Sequence, residues 1–94
     1  MPSNKSEIRA LLLSQGWVED RFGNLKGKSG NIRVKFQATS MRVEKKIVYK
    51  PIEFANQTSY TPPPEWKNVV SDYYKNISVA DGRVAIGGYK LKPQ

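Results

Sequence analysis

The spacing of apolar residues predicts an α+β fold. It comprises a three-stranded antiparallel sheet across residues 17–50, two helices on one face in the order α-β-β-β-α, and a C-terminal β-hairpin. Three observations carry this expectation. Ile8, Leu11 and Leu12 recur at helical spacing, Ile32, Val34 and Phe36 alternate with Arg33 and Lys35, and Asp81-Gly82 separates two short apolar stretches. At 94 residues the chain has the size of a single small basic α+β domain, residues 1–94.

Asn4-Lys5-Ser6-Glu7 has the form of a capping box, a capping side chain followed by Glu three residues on. Gly16 supplies a C-cap, so the first helix is expected from about Lys5 to Gln15. Trp17–Phe22 reads as the first strand, with Gly23-Asn24 turning the chain, and Gly27-Lys28-Ser29-Gly30 as a flexible basic loop. Ile32–Phe36 follows as the second strand. In the third, Met41, Val43, Ile47 and Tyr49 share one parity and Arg42, Glu44, Lys46 and Lys50 the other. Lys45 interrupts the apolar side, which predicts a bulge or strand end beside it.

Residues 51–63 read as an irregular connection ending in Pro62-Pro63-Pro64, which holds Thr61 to Pro63 extended. Pro64 suits the first position of a helix. Trp66, Val69, Val70, Tyr73 and Ile77 then recur at i, i+3, i+4, i+7 and i+11, predicting a second helix from about Pro64 to Lys75. On this reading Trp17 and Trp66 meet in one core. Asp81-Gly82 is the pair that a two-residue type I′ turn favours, and centring the turn there pairs Val79 with Val84 and Ile77 with Ile86.

The formal net charge is +8, and the stretch Arg21–Lys50 accounts for it. That stretch holds nine of the 16 Lys and Arg residues and a single acid, Glu44. Such polarisation points to a polyanion, since neutralising phosphates releases their condensed counterions. The candidate phosphate contacts are Arg21, Lys26, Lys28, Arg33, Lys35, Arg42, Lys46 and Lys50, on the sheet face and the Gly/Lys loop. A merely solvated face mixes acids among its cations, and this one has only Glu44.

Several chemistries find no support. The chain lacks His and Cys, which removes imidazole and thiol from catalysis and metal binding. Gly27-Lys28-Ser29 resembles part of a nucleotide-binding loop, but Phe22 stands where the first glycine belongs. Glu7, Asp81 and Glu65 are explained by a cap, a turn and a helix start. Glu19, Asp20, Glu44, Glu53 and Asp72 remain, and a metal-dependent nuclease would need two or three of them converging near a Lys, as Glu44 and Glu53 could near Lys46. The reading is of no catalytic residues, no metal and no cofactor. No apolar run spans a bilayer and no signal-like segment opens the chain, so a cytoplasmic protein is expected. Small size and basic charge are also common among proteins of phage and other mobile elements.

The opening helix, Gly16-Trp17-Val18 and the basic strand pair resemble the start of HicA-type toxins, whose double-stranded-RNA-binding-like fold has the order α-β-β-β-α. Those toxins depend on a His in the strand after the Gly-rich loop, and none occurs here. The resemblance implies a fold and not ribonuclease activity. The expectation for function is therefore non-catalytic binding of nucleic acid, DNA or RNA. The alternative is a protein-binding adaptor or inhibitor that docks its basic face on an acidic protein partner.

Overall fold

The computed structural model describes residues 4–94. Helix α1 (Lys5–Ser14) starts where the capping box places it, with Asn4 Oδ1 accepting from the Glu7 amide at 2.9 Å. Gly16 then turns the chain at φ +96°. Ten short strands follow among the described residues: β1 (Val18–Glu19), β2 (Leu25–Lys26), β3 (Ile32–Phe36), β4 (Ser40–Ile47), β5 (Ile52–Glu53), β6 (Ser59–Tyr60), β7 (Glu65–Tyr73), β8 (Ser78–Ala80), β9 (Arg83–Ile86) and β10 (Tyr89–Lys90). They form a five-stranded antiparallel sheet in the order β1-β2-β3-β4-β7, a three-stranded sheet β10-β9-β8, and the β5-β6 hairpin.

This overturns the expected architecture of three strands under two helices, and with it the α-β-β-β-α order shared with HicA-type toxins. The segment Glu65–Tyr73, expected as the second helix, is the longest strand. Two physical effects decide it. Trp, Asn, Val, Ser, Asp and Tyr all have modest helix propensity, whereas Val69-Val70 suits a pleated surface. In addition, β4 without β7 would leave an eight-residue edge of unpaired amides and carbonyls. The helix-like spacing of Trp66, Val69, Val70 and Tyr73 has its own cause. Val43 pairs with Val70 but Glu44 pairs with Asn68, so Val69 is an extra residue that reverses the parity of β7. The irregularity thus falls opposite Val43–Glu44 rather than at Lys45.

The first predicted strand is likewise corrected: Val18–Glu19 and Leu25–Lys26 form two short strands around the turn 20–24, where one oxygen of Asp20 accepts from the Phe22 and Asn24 amides. The C-terminal hairpin forms as the turn demands. Asp81 and Gly82 both have positive φ, and Val79 pairs with Val84.

One face of the large sheet carries the core. Leu25, Val34, Met41 and Val43 are fully buried there, clustered with Ile8 and Leu12 of α1, with Val84 and Ile86 of β9, and with Ile77 and Leu91, which flank the C-terminal sheet. Trp17 is buried with them, and its indole N–H donates to the Lys92 carbonyl at 3.1 Å. Trp66 is not part of that cluster, so the two tryptophans do not meet. Tyr74 closes the other end, donating its hydroxyl to the Gln37 carbonyl at 2.6 Å. Burial raises its pKa above the ordinary tyrosine value.

Beyond Ile47 the hairpin continues as an arm. Its strands β5 and β6 pair Ile52 with Tyr60 and Glu53 with Ser59, and Gln57 takes φ +66° at the tip. Residues 48–61 are all exposed, including Val48, Ile52, Phe54 and Tyr60. The arm contributes to the elongated shape, 59 × 24 × 21 Å.

Two outcomes follow. Replacing residues 48–64 by a two-residue Asn-Gly turn should leave the thermal midpoint within a few degrees, because the arm shares no buried side chain with the core. Tyr74→Phe should cost roughly 0.5–1.5 kcal/mol in denaturant melts. Neutral Tyr74 is favoured in the fold, so its contribution is present below about pH 10 and fades as pH rises through its raised pKa. Tyr74→Phe should therefore flatten the alkaline loss of stability.

Candidate nucleic-acid interface

The second face of the five-stranded sheet is built by the register. Leu25 opposite Val34 puts Lys26 beside Arg33, and Val34 opposite Val43 puts Arg33 beside Glu44 and Lys35 beside Arg42. Successive side chains alternate between faces, so every cation that flanks a core residue here points away from the core. Lys26, Arg33, Lys35, Arg42 and Lys46 therefore share one surface. Of the other predicted contacts, Arg21 and Lys28 lie in the exposed turns flanking β2, and Lys50 lies past the end of β4 at the base of the arm. The Lys28 amide is held by the Gln94 side chain at 3.1 Å, so the Gly/Lys loop is tied to the C-terminal segment.

The bulge in β7 brings unexpected residues onto this surface. Lys46 pairs with Trp66, Glu44 with Asn68, Arg42 with Ser71 and Ser40 with Tyr73. Trp66 is half-buried among cations rather than packed in the core: the Arg33 guanidinium carbon lies 4.1 Å from its ring centroid and the Lys26 ammonium 6.0 Å. Such a stack contributes about 0.5–2 kcal/mol and fixes the orientation of both side chains. A period-two reading of Glu65–Tyr73, interrupted by one bulge, would have found Trp66 here. The helical spacing concealed it.

Glu44 is 6% exposed and sits inside the cationic surface. Its carboxylate accepts from Arg33 Nε at 2.7 Å and lies 4.0 Å from an Arg42 terminal nitrogen. The pairing limits repulsion among the clustered cations. Lys26, Lys35 and Lys46 have no ion-pair partner among the described residues. Beside Arg42 an open groove of about 370 Å³ is lined by Gln37, Ser40, Asn68, Ser71, Asp72 and Tyr73. Asp72 is held below the usual carboxylate range by hydrogen bonds from Asn76 and from the Tyr73 amide.

The nuclease-like pair does not assemble, since Glu44 is engaged by two arginines and Glu53 lies out on the arm. No group of three potential metal-ligating side chains comes together among the described residues. No helix there is long and apolar enough to cross a membrane. Comparison with protein-family models, curated proteins and solved structures finds no match.

Glu44→Gln removes the buried negative charge and releases Arg33 and Arg42. It should lower stability by about 1–3 kcal/mol, because the arginines lose a charged acceptor. In a binding assay it should raise affinity for nucleic acid and steepen the salt dependence, the opposite of what loss of a metal ligand would produce.

Proposed function

We propose that this protein binds nucleic acid without catalysis, laying a strand across the face that carries Lys26, Arg33, Lys35, Arg42 and Lys46. The observation that carries this reading is the Arg33–Trp66 stack in the middle of that face. Five cations around one carboxylate supply a track for phosphates. The half-exposed indole and its stacked guanidinium supply what a simple solvated face has no use for, a π-surface on which a base can rest.

Bases in a duplex are already stacked on each other and turn only their edges outward. The face carries no projecting helix to enter a major groove. The preferred ligand is therefore single-stranded, with its backbone on the lysines and one base on Trp66. Asn68, Ser71 and Gln37, around the groove beside Arg42, are placed to hydrogen-bond a neighbouring base or sugar. Affinity then arises mainly from charge, and sequence preference is weak.

Neutralising about five phosphates should make log K fall against log salt with a slope of roughly −3 to −4 on a single strand. Arg42→Ala or Lys35→Ala should each reduce that slope by about one unit. Trp66→Ala should weaken single-strand binding about 10-fold while leaving the slope unchanged, because stacking releases no counterions. It should cost only about 1–2 kcal/mol of stability, against about 3–5 kcal/mol for Trp17→Ala in the core. Intrinsic fluorescence provides the readout, with Trp66 quenched by the strand and buried Trp17 not. No binding at low salt would overturn the proposal. Recovery of one stoichiometric acidic protein after nuclease treatment would instead favour the adaptor reading.

A further inference from the structure

Lys45 breaks the binary pattern of its strand. It occupies the apolar parity, opposite Ile32, and lies where the core gives way to the C-terminal segment. Its ammonium sits 5.5 Å from the centre of the Tyr89 ring. The space beside it is an open pocket of about 460 Å³, whose lining includes Lys45, Lys46, Lys92, Ser29, Asn31 and Gln94 beside the apolar Ile32 and Val48. Three chain segments build it: the loop before β3, the end of β4, and the stretch from β10 to Gln94.

Lys45, Lys46 and Lys92 all line the pocket, no Asp or Glu side chain does, and none of the three lysines makes an ion pair among the described residues. Its walls are tied down. The Gln94 amide donates to the Gln15 carbonyl at 2.7 Å, and the Gln94 side-chain oxygen accepts from the Lys28 amide. The main-chain oxygen of Gln94 is turned to Gly16, where an added Cβ would stand 2.5 Å from it. The Lys46 amide donates to the Asn31 carbonyl at 2.8 Å, which joins the loop before β3 to the end of β4. Like charges gathered in a concave site repel one another, and an anion relieves that cost. The hydroxyl of Ser29 and the amide of Asn31 add neutral donors.

We propose that this pocket binds a phosphomonoester dianion, the terminal phosphate of a nucleotide or of a strand. A monoester carries nearly two charges at neutral pH, whereas each internal diester of a nucleic acid carries one, so three lysines favour the terminus. The volume falls within the range of small-molecule sites and has room for a sugar beside the phosphate. Lys46 belongs both to this pocket and to the basic sheet face, so a strand crossing the face can end here. For a strand terminus the inference rests on the proposed function, whereas for a free nucleotide it stands without it.

The test uses the full chain and two arms. In the first, inorganic phosphate and adenosine monophosphate are titrated at constant ionic strength while backbone amide resonances are followed. The amides of Ser29, Asn31, Tyr89 and Lys92 should shift together, and Lys45→Ala and Lys92→Ala should each abolish the saturable response. In the second, one oligonucleotide is compared with and without a terminal phosphate. The phosphorylated strand should bind about 10-fold more tightly. Lys45→Ala and Lys92→Ala should erase that difference, while Arg42→Ala should weaken both strands alike. If neither strand binds but phosphate still shifts those amides, the pocket stands and the nucleic-acid reading falls. If the amides do not respond and a terminal phosphate brings no gain, the pocket inference is overturned, even where both strands bind the sheet face.

Discussion

The pairing of β4 with β7 is the interaction on which the rest of the structure depends. Eight residues of β4, Ser40 to Ile47, are opposed along its length, and the two strands are separated in sequence by the whole arm. The ladder satisfies the outer edge of the β1–β4 meander and widens the surface available to helix α1 and the C-terminal sheet. It also delivers the chain through the turn Tyr74–Asn76 to Ile77 and β8. The extra residue Val69 allows one strand to serve both faces, with Val70 packed against the core and Trp66 on the cationic side. Gly87 packs against Val70, where an added Cβ would stand 2.8 Å from its methyl, which brings the small sheet close to β7.

A sheet face with five cations is costly unless its charges are arranged. Here one buried carboxylate and one indole organise them. Glu44 engages two arginines, and Trp66 covers the apolar side of a guanidinium. Arg33 is central to both interactions, while Lys26, Lys35 and Lys46 make no ion pair among the described residues. Under the proposed function, the stacked pair would hold one nucleotide and the lysines would follow the backbone on either side. Lys45 and Lys92 extend the cationic surface around the end of β4 into a concave site of different geometry.

The arm has another character. Its backbone is paired, but Ile52, Phe54 and Tyr60 remain about half exposed because nothing packs on either side of a two-stranded ribbon. An isolated hairpin is marginal in water. This one is anchored by the longer ladder below it and by the Tyr49 hydroxyl, which donates to Glu65 at 2.9 Å and whose pKa is raised by that bond.

Local signals were legible in the amino-acid order. The Asn4 cap, the helix through Leu12, the alternation at Ile32–Phe36 and the Asp81-Gly82 turn each depend on residues within a few positions of one another, and each forms. Arg33, Lys35, Arg42 and Lys46 were likewise legible as one group from alternation along adjacent strands, whereas Lys26, expected in the loop, joins them through β2 and Lys50 falls beyond β4. The identity of Glu65–Tyr73 was not legible. Its apolar spacing suits a helix face and a bulged strand equally, and what separates them is the unpaired edge of β4, whose residues stand 18 to 33 positions before their partners. The location of Trp66 follows from that pairing. So does the meeting of Lys45 and Lys92, which stand 47 positions apart and come together only when the C-terminal segment packs beside β4. The sequence by itself determined charge, turns and local periodicity, because these arise from neighbouring residues. Tertiary structure decided which edge is paired, which face receives the tryptophan and where the lysines converge, because those outcomes depend on backbone groups far apart in the chain satisfying one another.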